Sequence, residues 1–127
     1  MSFESAQLTW TAVAATGLKQ YTLVGLSTAS RWIKASTGGG LGVIGVLQES
    51  STDSTDNRVK AAALHGITKA RVSTASTAIA PGAFVTNHTD GFICPTSAGD
   101  NAVGRALENV GSTGTLISIF FHHYGTT

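Results

Sequence analysis

At 127 residues the chain is long enough for one domain with a modest core and too short for two independent ones. Apolar residues make up 42% and charged residues only 12%, about half the usual charged share, so Ser, Thr, Asn and Gly must cover most of the surface. A net charge of +1 gives no sign of the concentrated basic face that capture of nucleic acid or an anionic membrane requires, and neither partner is expected.

The opening Met1-Ser2-Phe3-Glu4 has no basic stretch leading into an apolar core, so no secretory signal is expected. The one cysteine, Cys94, cannot form an intramolecular disulfide, which fits assembly in a reducing cytoplasm. No uninterrupted apolar run approaches the roughly 20 residues that cross a bilayer as a helix.

Period-two segments and turn residues dominate the pattern. The 15 glycines and the Ser/Thr clusters break the chain into short pieces. Turns spaced about every 8–12 residues belong to β-sandwiches and barrels. Residues 1–7 are expected to form an extended N-terminal arm. Leu8, Trp10 and Ala12 then alternate with Thr9, Thr11 and Val13, as in a half-buried strand. Tyr21 to Leu26 and Arg31 to Ala35 read as the next two strands. Val43 to Gln48 follows the Gly38-Gly39-Gly40 run, which reads as a flexible inter-strand loop, and the polar stretch 49–57 reads as a mobile surface loop.

From Arg58 to Ser73 the apolar parity flips. Val59, Ala61 and Ala63 share one face before Gly66, whereas Ala70 and Val72 are the apolar positions after it. A one-residue β-bulge at Gly66 would restore a single inward face, and a tight hairpin at His65-Gly66 is the alternative. Pro81-Gly82 fits the two central positions of a type II turn. Asp90-Gly91, between Phe84-Val85-Thr86 and Phe92-Ile93-Cys94, signals a hairpin. Ser97 to Ala106 has room for one short helical turn. Ala102 to Asn109 and Thr115 to Phe121 form the last pair, joined through Gly111-Ser112-Thr113-Gly114. In the final strand Ile117, Ile119 and Phe121 face one way and Leu116, Ser118 and Phe120 the other, so burial on both sides is expected. These signals together predict a single all-β domain, a small barrel or barrel-like sandwich of about 8–10 short strands.

The candidates for chemistry weaken on inspection. His122 and His123, with His65 and His88, raise the question of a metal site, but adjacent residues on a regular strand point to opposite faces. Asp53, Asp56 and Asn57 share only composition with a calcium loop, lacking its spacing and its terminal bidentate Glu. Cys94 sits in an apolar strand beside Pro95 with no activating cation nearby, which describes an inert thiol. Gly38-Gly39-Gly40-Leu41-Gly42 lacks the Lys-Ser/Thr ending of a phosphate loop. Asn87-His88-Thr89 matches a glycosylation sequon that matters only in a secreted chain. The seven carboxylates are scattered singly or in polar loops. No catalytic residue, metal or cofactor is expected.

What remains are surfaces. Arg58, Lys60, Lys69 and Arg71 are the clustered charges, and the bulge would put them on one outward face. Trp10 and Trp32 read as core or interface fillers. The doubly apolar last strand supplies Leu116 and Phe120, followed by His122 and Tyr124, as further interface candidates. Arg105 and Glu108 have opposite strand parity and make a poor intramolecular pair.

Six segments carry a resemblance in their order. They are Gly45-Val46-Leu47-Gln48, Gly66-Ile67-Thr68-Lys69-Ala70, Ala80-Pro81-Gly82-Ala83-Phe84-Val85, Asp90-Gly91, Gly104-Arg105-Ala106-Leu107-Glu108 and Leu116 to Phe120. In this succession the chain resembles the capsid cement, or head decoration, proteins of tailed bacteriophages across roughly residues 43 to 121, while residues 1 to 42 match loosely. The resemblance implies a non-catalytic virion protein that binds the outside of the head. Its partners would be the major capsid protein and, in a homotrimer, further copies of itself. Another virion structural β-protein, such as a tail tube, head-completion or fibre-base component, is the alternative.

Overall fold

The structure, a computed structural model, describes residues 8–51, 58–110 and 115–126. The expected arm over 1–7, most of the expected 49–57 loop and the Gly111 to Gly114 connection lie outside these residues. Among the described residues every regular element is a strand: β1 Leu8–Val13, β2 Leu23–Leu26, β3 Trp32–Lys34, β4 Gly45–Leu47, β5 Val59–Arg71, β6 Phe84–Asn87, β7 Ile93–Pro95, β8 Asn101–Ala106 and β9 Leu116–Thr126. They form one antiparallel sheet in the order β3-β2-β4-β5-β9-β8-β6-β7, with β1 pairing to β5 off this path. The sheet curls into a half-barrel. Val72, just past β5, bridges Ile93 of β7, and Ser73 N–H donates to the Ile93 carbonyl at 2.9 Å, which brings the far edge back to the middle strand.

β5 runs through Gly66 as one strand, and no hairpin forms there. Leu8 pairs with His65 but Thr9 with Ala63, so the extra residue is Leu64, while Gly66 carries the unusual φ of 110°. The flip puts Ala63 before it and Thr68, Ala70 and Val72 after it on one buried face, but Val59 of the expected inward set is 57% exposed and Ala62, of opposite parity, is fully buried in a separate cluster. Ile67 and Lys69 point outward.

Burial divides into two clusters on opposite faces of β2 and β4. The larger lies inside the curl and includes Leu23, Val46, Val85, Ile93, Val103, Ile119 and Phe121. The smaller gathers Ala14, Leu18, Val24, Trp32, Leu47 and Ala62. Adjacent residues Leu23 and Val24, and likewise Val46 and Leu47, are fully buried on opposite faces. Each large apolar side chain removed from water contributes about 1.5–3 kcal/mol. β1 departs from its half-buried expectation, because Leu8 to Thr11 are all exposed. Alternation specifies a strand, whereas burial needs something to cover it.

The loops are more constrained than their composition implies. The Gly38-Gly39-Gly40 run is clamped by Asn87, which is buried. Gly39 N–H donates to the Asn87 carbonyl at 3.2 Å and Gly40 N–H to Asn87 Oδ1 at 2.8 Å, while Asn87 Nδ2 donates to the Ala35 and Thr37 carbonyls. A side chain at Gly40 would put Cβ 2.1 Å from the Asn101 carbonyl oxygen, so glycine serves close approach here. Burial of Asn87 also removes it as a glycosylation acceptor. The start of the expected 49–57 loop is equally tied down: buried Ser51 bridges Leu18 and donates its hydroxyl to the Ala15 carbonyl at 2.6 Å. Ala83 N–H closes the Pro81-Gly82 turn on the Ala80 carbonyl at 3.1 Å, with Gly82 at φ 84°. The Asp90-Gly91 hairpin joins β6 to β7 by a loop beyond the Asn87–Ile93 pair. Where a helical turn had room, Asp100 N–H bonds the Ser97 carbonyl and β8 begins at Asn101.

Candidate functional site: an aromatic outer face

β9 lies between β5 and β8, which fixes what its two faces meet. Ile117, Ile119 and Phe121 fill the core, and Leu116, Ser118, Phe120, His122 and Tyr124 take the outward parity. Burial on both faces is therefore realised only on the inner one. Phe120 stands opposite Ile67 of β5 and Arg105 of β8. Around it the rings form a continuous array across β5, β9 and β6. His65 meets Phe120 edge-on at 5.3 Å, Phe120 stacks on His122 at 5.9 Å, His122 meets Tyr124 at 4.8 Å and Tyr124 meets Phe84 at 5.2 Å. The Arg105 guanidinium covers Phe84 at 4.8 Å and donates from Nε to the Gly82 carbonyl at 2.9 Å.

Beside this array lies a groove of about 470 Å³ lined by Ile67, Pro81, Arg105, Leu107, Phe120 and Tyr124. Ile67 is 50% and Leu107 47% exposed, so the rim is apolar and open. Apolar patches of this kind, rimmed by polar groups, mark contact surfaces. The flank is polar: Lys69 pairs with Glu108 at 3.2 Å, and Glu108 also accepts a short hydrogen bond from Ser118 N–H. These bonds, first that from Ser118 and then Lys69, hold the Glu108 carboxyl below its ordinary range. Arg105 and Glu108 are thus satisfied by different partners, as their parity predicts.

The other expected interface residues separate. Trp10 is 60% exposed on β1, beside the equally exposed Leu8, and belongs to the surface. Trp32 does not: it is fully buried in the smaller cluster, and its indole Nε1 donates to the Lys60 carbonyl at 2.9 Å, so it is a core residue closed to partners. The four basic residues do not make one patch. Lys60 and Lys69 stand nine positions apart on β5, about 30 Å at strand rise. Lys69 is held by Glu108, and Arg71 lies 5.8 Å from the Phe92 ring centroid and bonds the Gln20 carbonyl. Arg58 sits just ahead of β5, exposed and also engaged.

Sequence reasoning picked out Phe120, His122 and Tyr124 from β9 alone and missed Ile67, His65, Phe84 and Arg105. Their association follows from strand pairing, which leaves no local pattern beyond outward parity. Cys94 is half-buried, and burial, with Asp100 and Asp90 adding to it, pushes its thiol up to about 11. Among the described residues no group of three or more His, Cys, Asp or Glu side chains gathers. Asp53, Asp56 and Asn57 lie outside them.

The sequence matches no protein-family model and no curated protein. In fold, the chain is similar to the crystal structure of the head fiber gp8.5 N base in bacteriophage phi29, with a TM-score of 0.63, 16% identity, and coverage of 91% of this chain and 93% of that one.

Proposed function

We propose that this chain is a non-enzymatic structural β-protein of a tailed-phage virion that decorates the outer surface of the head and ties neighbouring major capsid subunits together. The observation that carries this reading is the likeness in fold, over nearly the whole of both chains, to the base of a phage head fiber. The ordered cement-like segments from Gly45 to Phe120 point to the same class. The groove beside Phe120 supplies the kind of apolar surface that contact between neighbouring copies needs. Each copy contributes a modest contact, and repetition over a closed shell sums it, because opening one seam breaks many contacts at once. The few charged groups keep the desolvation cost of such interfaces low. The outer face of β9 is the self-contact of a homotrimer. No cofactor, nucleic acid or membrane takes part.

A second reading is favoured by the same likeness: the chain is the base module of a head appendage, seated at fewer sites. Adding purified protein to undecorated heads tests both. Cementing predicts saturable binding near one copy per major capsid subunit and a higher temperature for DNA release. Saturation at far fewer copies, with DNA release unchanged, supports the appendage reading, and absence of binding removes both.

A further inference from the structure

Gly66 pairs with Phe121 in the antiparallel β5–β9 ladder, so the residues on either side, His65 and His122, fall directly opposite each other. His65 Nε2 lies 3.1 Å from His122 Nδ1, with the ring planes at 78°. Zn–N(imidazole) bonds are about 2.0–2.1 Å, and two of them at the tetrahedral angle place their nitrogens about 3.3 Å apart. The pair thus stands within a few tenths of an ångström of one ion's bite.

We propose that His65 and His122 form a two-imidazole site for a borderline divalent transition-metal ion of the zinc, nickel or copper(II) class. Imidazole donors select this class over calcium and magnesium, which take oxygen ligands. The rings are already held close together. Phe120 stacks on His122 and meets His65 edge-on, and Tyr124 abuts His122, so little rotamer freedom remains to be lost on binding. In the metal-free pair one ring donates its N–H to the other. Metal binding needs a tautomer change that moves this proton to the far nitrogen of the same ring, and a turn of both rings so that the two lone pairs, which face each other in the hydrogen bond, converge on the ion. No third His, Cys, Asp or Glu joins them among the described residues, so water or a docked partner's side chain completes the shell. His123, next in sequence, points away and contacts Phe121 at 5.3 Å. This inference does not depend on the virion reading.

Zinc chloride titrated into tag-free protein at pH 8, followed by calorimetry and by NMR of the imidazole ring protons, tests it. One Zn²⁺ per chain is expected, with shifts at His65 and His122 and none at His88 or His123. His65→Gln and His122→Gln should each weaken binding at least about tenfold, while His123→Gln leaves it intact. No binding, shifts centred on His88 or His123, or equal affinity in His122→Gln overturns the proposal. The ring-proton shifts of the unmodified protein decide the matter even if a variant fails to fold.

Discussion

Trp32 and Lys60 are joined by a hydrogen bond from the indole Nε1 to a strand carbonyl at 2.9 Å, which locks the largest side chain of the smaller core onto the central strand. Trp32→Ala should cost about 3–5 kcal/mol, from lost transfer energy and the cavity left behind. Trp32→Phe keeps most of the apolar contact and should cost less. Urea unfolding of both variants checks the order; a loss below about 1 kcal/mol for Trp32→Ala would contradict the burial of the indole.

Asn87 offers a second test of stability, because its one side chain satisfies Gly40 N–H and the Ala35 and Thr37 carbonyls. Asn87→Ala leaves the buried Ala35 carbonyl and the half-buried Gly40 N–H without their partner and should cost roughly 1–3 kcal/mol. Amide exchange should quicken at Gly40 in the variant. Unchanged exchange there would show that the glycine loop holds itself in place.

The self-contact assigned to β9 is open to sedimentation. The free protein should sediment as a trimer, and Phe120→Asp should shift it towards monomer, weakening assembly by roughly 2 kcal/mol or more as a central aromatic contact would. Because Phe120 is on the outward face, the thermal transition of the dilute variant should change little. A wild-type monomer indifferent to the substitution would remove the trimer for the free protein.

Glu108 gives stability a defined pH dependence. Its carboxyl is held below the ordinary value by Ser118 and Lys69, so the folded state favours the charged form. The stabilisation is therefore present above the unfolded-state value near about 4.3 and disappears as pH falls through the lower folded value. Melting temperatures of the wild type and Glu108→Gln should differ above about pH 5 and converge in acid. Parallel curves across that range would show that the Ser118 contact contributes nothing.

The Cys94 thiol, pushed up to about 11, should be slow to alkylate in the folded protein. At pH 8 its thiolate fraction is about a hundredfold below that of a free cysteine, and iodoacetamide labelling should slow by a similar factor until the protein is unfolded. Rapid labelling of the native state would revive an activated thiol.

Much of the fold was legible because β-structure writes itself locally. Two-residue alternation and turn chemistry are near-neighbour effects, so the Pro81-Gly82 turn, the Asp90-Gly91 hairpin and the inward set Ile117, Ile119 and Phe121 could be read directly. Even the parity change in β5 was visible, although Leu64, not Gly66, is the extra residue against β1.

Burial and association were decided only by tertiary structure, since both depend on what another part of the chain places opposite. Trp10 and Trp32 occupy similar strand contexts, yet one is 60% exposed and the other fully buried, because only Trp32 lies on a face that Leu18, Leu47 and Ala62 cover. Gly38-Gly39-Gly40 reads as flexible until Asn87, some 50 residues away, is brought against it. His65 and His122 lie 57 positions apart and meet through the pairing of Gly66 with Phe121. The sequence by itself determined which residues could alternate and turn; the register between distant strands, set by closing the sheet around its core, decided which of them meet.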